Sequence, residues 1–280
     1  MNTKRKAGFT LIELLVVIAI IAVLMGILMP ALRAVKQQAA AINCTANCRS
    51  LATAWFMYAG DNDGRVVPAI MADNGWIGTP RSQTGALYTS QQVTPVVEDE
   101  DEIRGIKAGL LYKYIGDAGV YHCPADNMRI SVHDLSRVFT SYVVPTCLMG
   151  WPNDENPQIK KIDKIKSPST KYNFVEAAET RNYNMAGHFV IGAPEYTGTS
   201  RWMWWGPMAV NHNKGSVLGF CDGHAEKHVW KNKYTLERVD KVLNQGGGSY
   251  GQQPAEPGQT EDLEYMAKGW AYEHLKGFEF

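Results

Sequence analysis

The 280-residue chain lacks an excess charge of either sign: 28 Lys and Arg stand against 28 Asp and Glu. There is no basic stripe, which argues against a nucleic-acid partner. No Cys-x-x-Cys occurs, so neither a zinc knuckle nor a haem attachment site is indicated. Gly-x-Ser-x-Gly, a phosphate loop, a dinucleotide fingerprint and a zinc-protease His pair are also absent. The five cysteines, Cys44, Cys48, Cys123, Cys147 and Cys221, leave at least one thiol unpaired. Cys44 and Cys48 lie one helical turn apart, a poor spacing for an intra-helix disulfide, so separate or differently paired thiols are expected.

Charge is missing most conspicuously near the N-terminus. Between Gly8 and Arg33 only Glu13 is charged, and Leu14 to Leu32 carries no charge at all. As a helix that run is about 28 Å long, close to the roughly 30 Å hydrocarbon core of a bilayer. Leu, Ile, Val and Met occupy every side of it, so no polar face remains for water. Lys4, Arg5 and Lys6 precede it, and a positive flank stays cytoplasmic. The expected location is therefore the inner membrane, crossed once, with the C-terminal domain periplasmic or extracellular. A secretory signal peptide and a plain signal anchor are the competing readings, but the apolar run is long and its small-x-small cleavage sites are poor.

Gly8-Phe9-Thr10-Leu11-Ile12-Glu13, behind the basic leader, resembles the processing site of type IV prepilins and type II secretion pseudopilins. The resemblance implies cleavage between Gly8 and Phe9 by a prepilin peptidase, methylation of the new Phe9 amine, and retention of the helix. It also implies that Glu13 pairs with the Phe9 amine of a neighbouring subunit during assembly. Physically, a lone carboxylate in lipid is costly and usually functional, although Glu13 near the interface could simply stay wet. Pro30 stands where these helices commonly carry a proline, and it removes one helix hydrogen bond. Loss of residues 1–8 would leave 25 basic against 28 acidic side chains, a net of −3.

Beyond the membrane segment, residues 33–60 lack an internal helix breaker, and Leu51, Ala54, Trp55 and Tyr58 recur at helical spacing. One helix from Phe9 to about Ala59 is expected, packed on a sheet through that stripe and stopped by Gly60-Asp61-Asn62-Asp63-Gly64. Asp61 and Asp63 suggest calcium only weakly, because the remaining ligands of a calcium loop are missing. Residues 65 to about 106 read as a long surface loop, with the acidic run Glu98–Glu102 as a solvated patch. Lys107–Ile115 is a short helix candidate, and Val120–Pro124 an extended piece. Strands are expected at Val138–Leu148 and Lys171–Ala177, with a further one beginning at Val210–His212. Ser216–Cys221 and His224–Trp230, around Asp222-Gly223, form a strong hairpin pattern. Tyr234–Asn244 reads as a closing helix. Residues 246–260 read as a Gly, Gln and Pro linker, and the tail as a short helix with Leu263, Met266, Trp270 and Leu275 on its apolar side.

His212, nine residues and then Asp222-Gly223 resemble a His-x9-Asp-Gly family of prepilin-type, processing-associated proteins. His122-Cys123-Pro124, Ser141-Tyr142 and Phe220–Glu226 resemble the same family. The resemblance implies an anchored pilin-like protein and assigns these residues no chemistry. On their own physics, Asp222 and Gly223 suit a tight turn with two positive φ values, with His212 donating to Asp222 or to a strand carbonyl. A metal set of Asp222, His224, Glu226 and His228 is weighed against it, as is calcium at Asp222. One row of a strand cannot wrap a tetrahedral ion, however. Trp202–Trp205 reads as core packing.

The fold expected is α+β: a pilin-like long N-terminal transmembrane helix packed on an antiparallel β-sheet head at 61–245. The function expected is a structural subunit without catalytic residues or cofactor. Its partners would be the prepilin peptidase, other pilin-like subunits, an inner-membrane assembly platform and membrane lipid. The alternative is an anchored extracytoplasmic binding or metal-dependent enzymatic module using the His212 and Asp222 region.

Overall fold

The computed structural model describes residues 11–88, 97–126, 139–149, 158–177, 188–189, 191–192, 202–204, 206, 208–237, 253–254 and 258–271. The chain divides into two compact units, Met1–Ala39 and Ala40–Phe280. Helix α1 runs from Leu11 to Asp61, somewhat past the expected Ala59. In the first unit every helical residue from 11 to 39 is exposed. An apolar surface of that kind, on all sides of a helix, is stable in lipid rather than in water. Pro30 sits inside the helix without ending it. It lacks the N–H that would bond the Gly26 carbonyl.

The second unit begins where α1 acquires one buried face. Ala41, Cys44, Cys48, Leu51, Ala52, Trp55 and Ala59 are buried, while Phe56 and Met57 on the other side stay half-exposed. Steps of three and four residues keep these side chains on one stripe. The helix ends as the turn residues dictate. The Asn62 and Gly64 N–H groups both donate to the Ala59 carbonyl, and Asp63 and Gly64 take positive φ values of 55° and 73°. Asp61 accepts a 2.8 Å hydrogen bond from the Tyr114 hydroxyl, so this segment is a capping turn with a side-chain tether.

A five-stranded sheet forms the centre of this unit. Its strands are β1 (Tyr142–Pro145), β2 (Tyr172–Glu176), β3 (His188–Phe189), β6 (Gly215–Phe220) and β7 (Ala225–Val229). The order is β3-β1-β2-β6-β7. The four strands from β1 to β7 pair antiparallel, and β3 joins β1 in parallel. Strands β1, β2 and β6 are buried at every position, so both faces of the sheet's middle are covered. Edge strand β7 carries Glu226 and Lys227 outward, which blunts its capacity to pair with another chain. A smaller antiparallel sheet holds β4 (Ile191–Gly192), β5 (Met203–Trp204) and β8 (Gln253–Pro254). Trp202, Met203 and Trp204 are buried, as the core reading requires, and Trp205 lies outside the described residues.

Five sequence readings are corrected. Residues 65–88 are not a surface loop, because Val66, Val67, Trp76 and Ile77 are buried in the main core. The acidic run is not a solvated patch. It opens helix α2 (Asp99–Ala108), where acidic side chains favour the helix N-terminus. Asp101 and Glu102 there are nearly buried. Asp101 pairs with Arg104 and accepts from the Tyr88 hydroxyl, and Glu102 accepts from the Phe139 N–H. The expected helix at 107–115 is divided between the end of α2 and a separate turn, α3 (Tyr112–Ile115). Ala118–Tyr121 is a 3-10 turn rather than an extended piece, and Val210–His212 begins no strand. Of the expected closing helix, 233–237 is helical and the rest lies outside the described residues.

The tail forms helix α4 (Glu261–Lys268), which docks firmly. Leu263, Met266, Ala267 and Trp270 are buried. Leu275 lies outside the described residues. The buried Asp262 carboxylate accepts from the Lys231 and Asn232 N–H groups, and Asn232 Oδ1 accepts in return from the Asp262 N–H at 2.8 Å. Gly269 is required by close approach: a Cβ there would sit 1.8 Å from the Tyr172 ring. His228 stacks on Tyr265 of α4 at 3.7 Å between ring centroids.

Two outcomes follow from this docking. Asp262→Ala leaves the buried Asn232 N–H and the part-buried Lys231 N–H without an acceptor, and should cost about 1–3 kcal/mol in thermal or chemical unfolding of the full chain in detergent. Burial holds the His228 pKa below its ordinary 6.5, an effect that outweighs Asp262, Glu226 and Glu261 nearby; Lys231 adds to the lowering. A depressed histidine contributes stability that is complete above pH 6.5 and lost as pH falls through the lower folded value. Hydrogen-exchange protection across 261–268, taken relative to the intrinsic exchange rate at each pH, should therefore fall between pH 7 and 5, and this fall should be reduced in His228→Gln.

Candidate functional site

The processing residues Gly8 and Phe9 lie outside the described residues. Glu13 occupies the first turn of α1 and is exposed. An acid at that position also complements the positive end of the helix dipole. Among the described residues one helix, α1, is long and apolar enough to cross a membrane, as judged by length and composition.

Inside the second unit the chain assembles a constellation that sequence spacing does not reveal. Cys44, Cys123, Glu176 and His212 converge so that one ligand-type atom from each lies within 4.8 Å of the others. Each arrives on a different segment. Cys44 belongs to the buried stripe of α1. Cys123 follows the 3-10 turn at Ala118–Tyr121; its N–H donates to Ser141 Oγ at 3.0 Å, and that hydroxyl donates to Asp126 at 2.6 Å. Glu176 ends the fully buried strand β2. His212 enters the turn before β6, where its N–H donates to the Gly215 carbonyl at 3.2 Å. Asn213 and Lys214 between them both take positive φ, 51° and 61°, as a two-residue hairpin turn requires.

His212 Nε2 is the hub. It lies 3.1 Å from Glu176 Oε1 and 3.4 Å from Cys123 Sγ. Glu176 Oε2 accepts from the Val217 N–H at 2.8 Å, and Oε1 accepts from Asn211 Nδ2 at 3.3 Å. The two cysteines and Glu176 are 0% exposed and His212 is 1% exposed. Electrostatics is correspondingly strong. The Cys123 thiol, donating to Cys44, pulls the Cys44 pKa down to about 6 against the opposing effect of burial, with His212 assisting. The same hydrogen bond, with burial, drives Cys123 upward. Burial works to lower His212, but hydrogen bonds to Cys44 and Glu176 prevail and raise it to about 9. The hydrogen bonds thus favour a thiolate at Cys44 beside a protonated His212 ring.

His212 therefore does not meet Asp222, contrary to the sequence reading. Asp222 sits in the exposed β6–β7 turn, where Oδ1 accepts from the His224 N–H at 3.2 Å and lies 2.5 Å from His224 Nδ1. Gly223 alone takes a positive φ there, 94°, and its N–H donates to the Phe220 carbonyl. The hairpin stands, but the two-residue turn with paired positive φ values is at Asn213-Lys214. The row Asp222, His224, Glu226 and His228 does not converge. His224 stacks on Phe220, Glu226 accepts from the Tyr265 hydroxyl, and His228 stacks on Tyr265.

Cys44, Cys123 and Glu176 were missed as His212's companions. The available signals were a cysteine on the helical stripe, the His-Cys-Pro segment, and a glutamate closing an otherwise apolar strand.

Comparison with known proteins locates the N-terminal feature. Residues 3–29 match the family model of the prokaryotic N-terminal methylation motif. No curated protein and no solved structure matches the chain. The matched motif, the apolar helix α1 and the α+β layout with its antiparallel strands together support a likeness to type IV pilins and pseudopilins.

Proposed function

We propose that the chain is a pilin- or pseudopilin-like structural subunit, cleaved between Gly8 and Phe9 and methylated on Phe9. It then joins other pilin-like subunits through its N-terminal helix, in a type IV pilus-like or type II secretion-like assembly. The observation that carries the reading is the methylation motif at residues 3–29, which covers all but the last three residues of the membrane-length apolar run. In that setting Glu13 lies four residues after the new N-terminus. Its carboxylate and a neighbour's Phe9 amine would each be costly alone in lipid and nearly neutral as a pair. The basic residues Lys4, Arg5 and Lys6 favour a cytoplasmic N-terminus and a head outside the inner membrane.

An anchored module using His212 and Asp222 together is not favoured, because the two side chains belong to separate environments. The motif points to a structural subunit.

Glu13→Ala should leave membrane insertion and head folding intact while reducing recovery of the chain in sheared filaments or cross-linked complexes at least about tenfold, the loss of about 1.4 kcal/mol or more of contact energy. Unchanged recovery would overturn the role given to Glu13.

A further inference from the structure

We propose that Cys44, Cys123, Glu176 and His212 form a closed structural site for one zinc ion. The inference stands on the second unit alone and does not depend on the membrane or assembly reading.

The donor chemistry comes first. Two thiols, a carboxylate and an imidazole face one another in a region with essentially no water access. The basic group that the described residues bring to Glu176 is His212. A His–Glu pair needs no thiols around it, yet two reach the same point from distant segments. Four ligands of this kind suit a borderline-soft divalent cation. Thiolates disfavour calcium and magnesium, and the carboxylate disfavours copper(I).

Geometry agrees. Zinc–ligand bonds of about 2.0–2.3 Å give tetrahedral edges of about 3.3–3.8 Å. The observed His212–Glu176 and His212–Cys123 edges, 3.1 and 3.4 Å, are close to that range, and no edge exceeds 4.8 Å. Closing the widest edge would take about 1 Å of movement. The ligands are not arranged on one strand. They come from a helix, a loop, a strand end and a turn, so they can surround an ion.

Outer hydrogen bonds orient two of the four ligands. Val217 and Asn211 hold Glu176, and Ser141 holds the Cys123 backbone. On binding, the two protons that the thiols and the imidazole share in the metal-free cluster leave to solvent, so that both sulfurs are thiolates and the His212 ring is neutral with Nε2 on the metal. Two thiolates, one carboxylate and Zn2+ sum to −1, which the Val217 and Asn211 N–H groups help to offset. With four protein ligands and no exposure there is no open position for a substrate. The ion is therefore structural, and it cross-links α1 to the end of β2, the Cys123 loop and the turn before β6. Such binding energy is folding energy.

The test uses the untagged full chain, purified in detergent without chelators, with metal content measured by mass spectrometry. About one Zn2+ per chain is expected, falling below about a tenth of that in Cys44→Ser and Glu176→Ala but not in Cys147→Ser. Chain produced in Co2+-supplemented medium should show the thiolate-to-cobalt charge-transfer bands and intense visible bands of a tetrahedral site. If the variants do not fold, the wild-type zinc content and cobalt spectrum decide. Metal-free wild-type protein, iron in place of zinc, or a Cys44–Cys123 disulfide in peptide mass maps would each overturn the assignment.

Discussion

Everything in the second unit depends on α1 presenting one continuous buried stripe. From Ala41 to Ala59 the helix supplies Cys44, Cys48, Leu51 and Trp55 to the main core. Burying a Leu and a Trp side chain contributes about 1.5–3 kcal/mol or more each, so this stripe is a principal source of stability. The same helix has no such stripe over residues 14–32, where apolar groups cover all sides. The change falls within one element. It reflects a change of side-chain pattern rather than of backbone, since the propensity for helix persists throughout.

The stripe also carries the least ordinary feature of the core. A glutamate with no exposure is expensive unless its charge is met. Here β2 delivers Glu176 to the point where Cys44, Cys123 and His212 meet, and backbone and amide donors complete its shell. The consequence is that four distant segments must be in place together before any of these groups is satisfied. Such an arrangement penalises partly formed structures more than an apolar core of equal volume does.

Legibility followed the range of the interactions. The long helix, strand β2, the β6–β7 hairpin and the apolar side of the tail depend on periodicity and turn residues within short windows, and they were readable. The acidic run was misread because its meaning depends on partners elsewhere: Arg104 follows within α2, but the Tyr88 hydroxyl and the Phe139 N–H arrive from other segments. Residues 65–88 were misread because Trp76 and Val67, isolated in a polar stretch, show no period even though they fill the core. The buried cluster was hidden for the same reason. His212 was singled out from a spacing to Asp222, yet its neighbours are Glu176 and Cys123, set by sheet pairing and by the path of the loop after Tyr121. The paired positive φ values at Asn213-Lys214 could not be anticipated either, since neither residue is glycine.

The N-terminus carries the central functional claim, and it is open to direct measurement. Intact mass and N-terminal sequence of the protein taken from its own membrane would test it. The account predicts a chain that begins at N-methyl-Phe9 and retains the apolar helix. A chain that begins near Gly26 or beyond, or one that keeps Met1, would contradict it.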